Sequence, residues 1–305
     1  MRLLTRSDFD GLVCAALLKE VEQIDEIEFH HPKDMQDGKV KVTSNDIITN
    51  LPYHPDAGMW FDHHASEASR NEDMVFKGRF AVAPSAARVV YDYYVLQGKG
   101  EKLAKYQELL IEVDKSDSAN LEPEDVTNPK GWILLSYLMD PRTGLGKQHD
   151  YQISNRELMM KLVDWINQKT PEEILNEPDI KERVDRYNKE EEAFRKTQLE
   201  HSRQDGNVVI TDFRGMETPV GNRFVIYTQF PTANISIRIM DGRKGEFCAV
   251  AVGHSIFNRT SKTDVGALMA KYGGGGHRGA GTCQLPYDVV DAKVAEMVAI
   301  MKKDG

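Results

Sequence analysis

The sequence predicts an α/β protein with two lobes: an N-terminal lobe on a parallel sheet, a helical linker, and a smaller C-terminal lobe of mixed α/β structure. The chain has 305 residues, which is more than one compact core usually spans. Short β-rich runs alternate with helical runs over residues 1–120, as is typical of a doubly wound parallel sheet. After a stretch with few strand signals, β-rich runs return beyond Gly206. We therefore assign the first lobe to residues 1–178, the linker to 179–205 and the second lobe to 206–305.

The first lobe is predicted from short β-rich runs that alternate with helix-forming segments. Its predicted strands are Met1–Thr5, Ile27–His30, Asp46–Thr49 and Met59–Phe61. Its predicted helices are Gly11–Val21, Pro84–Leu96, Ala104–Val113, Trp132–Met139 and Arg156–Lys169. Parallel sheets bind ligands beyond the carboxyl ends of their strands, so polar residues at that edge are the first candidates for a site.

The linker and the second lobe differ in their patterning. Residues 179–201 are very polar, and we interpret them as a solvated helix that connects the lobes. The predicted strands of the second lobe are 207–211, 223–229, 234–239, 246–252 and a strand-like run at 282–285. Its predicted helices are 264–272 and 287–302.

The composition restricts partners and location. The net charge is −9, whereas long nucleic acids usually meet a basic surface, so we expect no long duplex DNA as a partner. An anionic substrate then needs local positive charge, which bound divalent cations supply. No apolar run approaches the ~20 residues of a membrane helix, and the N-terminus does not resemble a secretory signal. Cys14, Cys248 and Cys283 form no CxxC pair, and we expect a cytoplasmic protein without a membrane partner.

The first chemical motif is Ser7-Asp8-Phe9-Asp10-Gly11, at a predicted strand-to-helix turn. Its two carboxylates, Asp8 and Asp10, offer the oxygen ligands that Mg²⁺ and Mn²⁺ prefer. The same pattern also serves as an ordinary turn and helix cap. The motif alone therefore leaves metal binding and capping open.

The second motif, Asp62-His63-His64, follows a predicted strand that ends at Phe61. Imidazole is a good ligand for Mn²⁺ or Zn²⁺, and a neighbouring carboxylate fixes the tautomer of the ring. Two histidines at a strand end are equally compatible with a plain exposed surface.

Single aspartates supply further candidates. Asp46 opens a predicted strand, and Asp114 follows an apolar helical run, with Asp117 three residues later. Each of them also fits an ordinary cap.

The last motif is a run of four glycines, Gly273 to Gly276, followed by His277 and Arg278. The run is either a flexible linker or a place where the backbone closely approaches another group, because ordering four glycines costs entropy. Backbone N–H groups of a glycine turn can line an anion pocket, and we interpret the run as a phosphate-binding loop. Arg238, on a predicted strand, is a further phosphate candidate, although strand arginines are often simply solvated.

Together these motifs resemble the DHH phosphoesterase superfamily, in the branch with a DHHA1-type C-terminal domain. The resemblance covers nearly the whole chain, and the combination of the Asp62-His63-His64 triplet with the distant glycine run makes it specific. It implies a DHH catalytic lobe on a parallel sheet and a DHHA1-like lobe that binds substrate.

The resemblance also implies roles for individual residues. Two catalytic cations, typically Mn²⁺ with Mg²⁺ as the alternative, would lie in the first lobe. Their implied ligands are Asp8, Asp10, Asp46 as the bridge between the metals, His63, and Asp114 with Asp117 as its alternative. Asp62 is implied as a supporting residue or a metal ligand, and His64 as a phosphate-facing group. The implied substrate-binding residues are Arg238, Gly274, Gly275, Gly276, His277 and Arg278.

The chain departs from the family pattern at Arg6. The family usually carries a histidine ligand shortly before the first aspartate, and none precedes Asp8 here. Arginine is permanently charged and does not bind metals. We expect Arg6 to pair with Asp8 or Asp10, or to contact a substrate phosphate. We also expect one tightly held metal and a second that is weak, absent, or recruited together with the substrate. His30 or His31 is the alternative source of the missing ligand.

The expected reaction is hydrolysis of a phosphate ester or phosphoanhydride with one or two metal ions per chain. The pattern most resembles family members labelled exopolyphosphatase-like. A nano-RNase or cyclic-dinucleotide phosphodiesterase is a second hypothesis, and a non-catalytic nucleotide- or phosphate-binding protein with a degenerate metal site is a third. The expected partner is a phosphorylated small molecule, polyphosphate or a short oligonucleotide, and the sequence leaves a homodimer open.

Overall fold

A computed structural model of the chain describes residues 1–64, 67, 74–140, 148–217 and 220–305. These residues form two compact units. The first contains Met1–Asn120 and Pro129–Arg186, and the second contains Leu121–Asn128 and Tyr187–Gly305. Each unit has a sheet of its own, so the predicted α/β class with two lobes is confirmed. The predicted lobe boundaries at 178 and 205 stay a prediction.

The first unit is built on a parallel sheet. Its strands are β1 (Arg2–Arg6), β2 (Glu26–His30), β3 (Asp46–Thr49), β4 (Met59–Asp62) and β5 (Gly78–Phe80). The order is β2-β1-β3-β4-β5, and every pair is parallel. All strand ends therefore collect at two edges, which we call the carboxyl edge and the amino edge. The chain order reverses between β1 and β3, and the carboxyl edge at such a switch point is where open α/β sheets bind ligands.

Among the described residues, nine helices precede the long helix Pro178–Glu200. They are α1 (Phe9–Val21), α2 (Pro32–Gln36), α3 (Ala86–Leu96), α4 (Gly100–Leu103), α5 (Gln107–Asp117), α6 (Pro123–Thr127), α7 (Gly131–Met139), α8 (Asn155–Trp165) and α9 (Pro171–Leu175). A 3₁₀ turn, Ala104–Tyr106, joins α4 to α5, and α10 (Pro178–Glu200) contains the point at which the two units divide.

The sequence of α1 explains its central place in the first unit. The run GLVCAALL is apolar on all sides, and such a helix is normally buried. β1 lies against it, and so do α3, α5 and α8. Burial extends to Asp10 in the first turn, so a carboxylate is carried into the interior beside the carboxyl edge.

Trp60 on β4 fixes the neighbouring strand ends. Its ring stacks on Phe80 with a centroid distance of 5.7 Å, and its Nε1 donates to the Leu51 carbonyl oxygen at 2.9 Å. The buried indole thus ties the segment after β3 to the end of β4. This contact positions the polar residues that follow both strands.

The second unit contains a mixed sheet. Its strands are β6 (Ser202–Asp205), β7 (Val208–Asp212), β8 (Ile235–Asp241), β9 (Cys248–His254), β10 (Gly275–His277) and β11 (Ala280–Leu285). The order is β10-β11-β9-β8-β7-β6, with β7 and β8 parallel and the other pairs antiparallel. Besides α6, which lies in Leu121–Asn128, the helices of this unit after α10 are α11 (Val225–Gln229), α12 (Val265–Ala270) and α13 (Val290–Asp304), and Arg243–Gly245 form a 3₁₀ turn.

Alternation along β8 separates the two faces of this sheet. Ile235, Ile237 and Ile239 are buried in a core that includes residues of α12 and α13. Ser236 and Arg238 therefore point to the opposite face. Among the described residues, no helix combines the length and the apolar character needed to cross a bilayer.

The structure corrects the predicted strand at 223–229, because most of this segment forms α11. Ile226 and Tyr227 pack together against Val209, and the Tyr227 hydroxyl donates to the Gly253 carbonyl oxygen at 2.8 Å. Two adjacent side chains contact the same face only when the backbone turns helically, since a strand would point them to opposite sides. Tertiary packing overrides the local β preference here.

Candidate metal centre

A tight turn joins β1 to α1 and sets the first polar residues of the site. Asp8 caps the helix, and its Oδ1 accepts a hydrogen bond from Gly11 N at 2.9 Å. A Cβ atom at Gly11 would lie 2.0 Å from the Arg6 carbonyl oxygen, so the turn requires glycine. Asp8 is therefore held at the carboxyl edge, with Asp10 in the first turn of the helix.

Asp10 is buried, with 1% of its surface exposed. Its carboxylate accepts 2.8 Å hydrogen bonds from Ala86 N and Ala87 N, which are free N–H groups at the start of α3. Burial and the nearby charges of Asp117 and Asp8 nevertheless raise the pKa of Asp10 well above its usual value. A bound cation would relieve this electrostatic cost.

His63 follows β4 and has its two ring nitrogens in different environments. Nδ1 lies 2.9 Å from the carbonyl oxygen of Ala83, which can only accept, so in the neutral form of the ring Nε2 carries the lone pair. Nε2 is buried and finds no hydrogen-bond partner among the described residues. It lies 3.2 Å from Asp117 Oδ2 and 3.8 Å from Asp10 Oδ2. Burial raises the pKa of Asp117 as well.

Asp10, His63 and Asp117 form what we call the Asp10 cluster, because their ligand atoms all lie within 4.8 Å of one another. The cluster combines an unpartnered imidazole nitrogen with two carboxylates that repel each other. These residues fit a divalent cation, and a mixed nitrogen and oxygen donor set suits Mn²⁺. The structure thus brings together the predicted Asp10 and His63 with Asp117, the alternative to Asp114.

Asp62 and His64 form a pair beside the cluster. Asp62 is the last residue of β4 and is buried, and its Oδ1 lies 2.8 Å from His64 Nδ1. Burial favours a neutral His64 ring, but the Asp62 carboxylate outweighs burial and holds the pKa of His64 above its usual value. Because Asp62 engages Nδ1, the Nε2 atom of His64 is left for other partners.

The structure does not bring the predicted ligand Asp46 to this cluster. Asp46 is the first residue of β3 and lies at the amino edge, at the end of the strand opposite to the site. Its Oδ1 and Oδ2 accept hydrogen bonds from Arg2 Nε and Nη2 at 2.9 and 2.7 Å. We therefore withdraw Asp46 as the bridging ligand and assign it to an ion pair.

The structure also separates Asp114 from the cluster. Both Asp114 and Asp117 lie on α5, but Asp114 binds Arg88, with Nη2 at 2.6 Å, and the Ser85 hydroxyl at 2.6 Å. Its oxygens are thus occupied by a guanidinium and a helix-capping serine. Asp117, one turn later, replaces it in our assignment.

Asn50 is a residue of this site that the sequence analysis did not identify. It follows β3 at the carboxyl edge with a φ of 53°, a conformation that asparagine tolerates better than most residues. Its Nδ2 donates to Asp8 Oδ1 at 3.1 Å, while its buried Oδ1 has no hydrogen-bond partner among the described residues. Its position directly after a predicted strand was the available signal.

His30 and His31 do not supply the missing ligand. His30 Nε2 lies 2.8 Å from Glu28 Oε2, and His31 Nδ1 accepts from Lys33 N at the start of α2. The groups that could hold a metal in the described residues do not include either ring. This corrects the alternative that placed one of them in the cluster.

Arg238 lies on the face of the second sheet that α12 and α13 leave open. Burial lowers its pKa, and no carboxylate pairs with it among the described residues. Its guanidinium lies 5.7 Å from the centre of the Phe213 ring. A partly buried guanidinium without a carboxylate partner is what we expect where an anionic ligand binds.

The glycine run forms a turn and an edge strand, where a phosphate-binding loop was predicted. The N–H groups of Gly273 and Gly274 donate to helix carbonyls, so neither is free to bind an anion. A Cβ at Gly274 would lie 2.0 Å from the Thr282 carbonyl oxygen, and one at Gly276 would lie 2.3 Å from that of Ala280. Both are thus needed for the close approach of β10 to β11.

Gly275, His277 and Arg278 are exposed, and nothing lies within 4 Å of a Cβ at Gly275. His277 Nδ1 accepts a hydrogen bond from Gly279 N at 3.2 Å, which leaves Nε2 to donate outward. The open positions of the run are therefore Gly275 and the two basic residues after it.

Comparison with solved structures finds a relative that matches the whole chain well. The pGpG-specific phosphodiesterase PggH from Vibrio cholerae is 45% identical, with a TM-score of 0.88, over 100% of this chain and 99% of that one. A DHH domain from a member of a family of ribosomal proteins is 12% identical, with a TM-score of 0.57, over 99% of this chain and 86% of that one. RecJ from Thermus thermophilus, solved with Mg²⁺, is 13% identical, with a TM-score of 0.50, over 99% of this chain and 50% of that one.

The last two similarities concern the fold alone. No family model matches the chain, and no curated protein matches it either.

Proposed function

This chain belongs to the DHH phosphoesterase superfamily, and on that premise we propose that it hydrolyses the single phosphodiester bond of a short guanine dinucleotide. It is a hydrolase, as the sequence predicted. The observation that supports the substrate is the 45% identity over the full length to a phosphodiesterase specific for pGpG. The dinucleotide replaces polyphosphate as the first candidate.

The Asp10 cluster is the proposed metal centre. Asp10, His63 and Asp117 would hold a divalent cation, with Mn²⁺ proposed ahead of Mg²⁺ because an imidazole nitrogen takes part. A cation held there supplies Lewis-acid stabilisation of the charge that develops on the phosphate. The N–H groups of Ala86 and Ala87 keep the Asp10 carboxylate in place.

His64 is the proposed general acid. Its Nδ1 is fixed by Asp62, and its Nε2 can donate a proton to the leaving 3′ oxygen. Attack of water on phosphorus and cleavage of the bond to that oxygen gives two 5′-nucleotides. The proton that His64 gives up is recovered from the attacking water, so the site returns to its starting state.

The second unit is proposed to bind the remaining phosphate of the substrate. Arg238 supplies an unpaired guanidinium, and His277 and Arg278 add exposed donors next to the open Gly275. The aromatic ring of Tyr227 is not proposed as a stacking platform for a base, because it is buried in the core with its hydroxyl bonded to Gly253.

The three cysteines are free and buried, which supports the proposed reducing, cytoplasmic location. A homodimer stays a prediction.

The proposal is tested with a panel of substrates and purified, Mn²⁺-loaded protein. We expect pGpG to be cleaved to GMP with a kcat/KM at least about tenfold above that for pApA, cyclic di-GMP, 3′-phosphoadenosine 5′-phosphate and polyphosphate. Activity should vanish in EDTA and return with Mn²⁺. Preferred cleavage of polyphosphate, or full activity in EDTA, would overturn it.

A further inference from the structure

Arg6 is the last residue of β1 and lies at the carboxyl edge. Its Nε forms an ion pair with Asp8 Oδ2 at 2.9 Å, and the two side chains are 27% and 15% exposed. The predicted pairing of Arg6 with Asp8 is thus confirmed.

The Asp8 carboxylate is fully engaged by protein groups. Oδ1 accepts from Gly11 N at 2.9 Å and from Asn50 Nδ2 at 3.1 Å, and Oδ2 faces the Arg6 guanidinium. A divalent ion at Asp8 Oδ2 would have to displace the permanent cation of Arg6, and one at Oδ1 would compete with two N–H donors. The Asp10 cluster, in contrast, has a ligand atom without a partner, since its imidazole nitrogen makes no hydrogen bond among the described residues.

The two terminal amino groups of Arg6, Nη1 and Nη2, donate no hydrogen bond to any residue that the structure describes, since the recorded contact of this side chain is the one from Nε. Two parallel N–H donors on a planar fork match the oxygens of a phosphate. Asn50 Oδ1, buried and unpartnered within the described part of the chain, lies on the Asp8 side of the same site.

We propose that Arg6 binds a phosphate oxygen of the substrate and takes the place that a second divalent ion would need, so that the chain works with one metal ion. This inference rests on the proposed function for its substrate. Arg6 and Asn50 together convert the Asp8 side of the carboxyl edge from a metal site into a guanidinium site. The Asp10 cluster, which shares His63 with a second possible ligand group of Asp62, His63 and His64, is then the proposed single metal centre.

Arg88 provides a matched control within the same unit. Arg88 and Asp114 are 27% and 17% exposed, almost the same as Arg6 and Asp8. Arg88 Nε and Nη2 both bind Asp114 Oδ2, at 2.9 and 2.6 Å, so this pair uses its donors within the protein. Replacing Arg88 therefore tests the loss of an arginine–aspartate pair whose guanidinium donors already bind within the protein.

The first arm of the test counts metal ions. Protein equilibrated with Mn²⁺ is dialysed, and the bound metal is measured by mass spectrometry and by Mn²⁺ paramagnetic resonance. We expect one Mn²⁺ per wild-type chain and two in the double variant Arg6→His with Asn50→Asp, which removes the cation and adds two ligands. Two tightly bound Mn²⁺ ions per wild-type chain would overturn the inference, and this arm does not depend on any substrate.

The second arm measures kcat and KM with pGpG. Loss of a charge-assisted contact should lower kcat/KM of Arg6→Gln about 10- to 100-fold, with Arg6→Lys in between because it keeps the charge without the fork. Arg88→Gln should stay within about twofold of wild type. Equal kcat/KM for Arg6→Gln and wild type would overturn the phosphate role. Absence of any pGpG hydrolysis by wild type would instead overturn the proposed substrate, with the metal count still deciding the inference.

Discussion

The two edges of the first sheet each carry an arginine next to an aspartate, but the pairs are built differently. At the amino edge, Arg2 uses Nε and Nη2 on Asp46 and Nη1 on Glu28, with distances of 2.7 to 2.9 Å. At the carboxyl edge, the contact of Arg6 with Asp8 is made by Nε, at 2.9 Å, and neither Nη donates a hydrogen bond to a described residue. The first pair is complete within the protein, whereas the second leaves donors for a ligand.

The same contrast separates the other acidic residues of the unit. Asp46 and Asp114 are held by arginines, while Asp10 and Asp117 crowd an imidazole nitrogen that has no hydrogen-bond partner in the described part of the chain. Buried polar groups are normally satisfied, so a cluster that is not satisfied points to a missing ligand. In this unit, whether a carboxylate already has a positively charged protein partner separates ion-pair positions from candidate ligand positions better than residue type does.

The largest expected effect comes from exchanging one acid on α5. Asp117→Asn removes a ligand of the proposed metal and should lower kcat by about three orders of magnitude, the equivalent of several kcal/mol of lost stabilisation. Asp114→Asn should keep kcat within about fivefold, because Asp114 holds Arg88 and Ser85. Steady-state kinetics of both variants decide between them. The reverse ranking would return Asp114 to the ligand set.

A smaller effect on activity is expected from the second unit, where two arginines can be compared in the same way. Arg214 is paired with Asp212 and Asp291, at 2.6 and 2.8 Å, whereas Arg238 has no carboxylate partner among the described residues. Arg238→Gln should raise KM for pGpG about 10- to 100-fold with little loss of stability, since it removes a phosphate contact and an uncompensated cation. Arg214→Gln should leave KM unchanged. Kinetics and thermal melts of both proteins test this, and an unchanged KM for Arg238→Gln would remove it from the site.

The smallest effect on activity is expected at the amino edge. Burial opposes the charge of Asp46, but Arg2 and Thr43 outweigh burial and hold the pKa of Asp46 below its usual value. A lowered pKa stabilises the fold above the unfolded-state pKa of about 4 and loses this effect as the pH falls through the lower folded-state value. Asp46→Asn should therefore cost about 1–3 kcal/mol at pH 7, with a shrinking difference below pH 4.

Urea unfolding of the wild type and Asp46→Asn at pH 7 and pH 3 measures this change. Mn²⁺ binding by the variant should equal that of wild type. A variant that keeps its stability but loses its metal would show that Asp46 is a ligand after all.

The sequence predicted the strands and helices that are formed by apolar runs, and it missed the short polar strands. The apolar runs of β1, β3 and β4 and the helix α1 were recognisable because their side chains are buried. β6 and β10 are exposed edge strands without an apolar pattern, and only pairing with a neighbour defines them. α11 looked like a strand because its residues favour β structure locally.

Candidate ligands were predictable where a sequence motif fixes which residue lies at the site. They were not predictable where two nearby residues of the same element both fitted. Asp10 lies in the first turn of the helix after β1, His63 directly follows β4, and the two come together as expected. Asp46 was predicted as a ligand although it opens β3 at the amino edge, and Asn50, which follows β3 at the carboxyl edge, was not identified. Asp114 and Asp117 lie one turn apart, and the helical phase that separates them depends on packing against α3.

Anomalous diffraction from crystals grown with Mn²⁺ tests the central claim most directly. The account predicts one peak per chain, within coordination distance of Asp10, His63 Nε2 and Asp117, with Arg6 still paired to Asp8. A second peak of equal height at Asp8 and Asn50, or a peak at Asp46 on the amino edge, would contradict it.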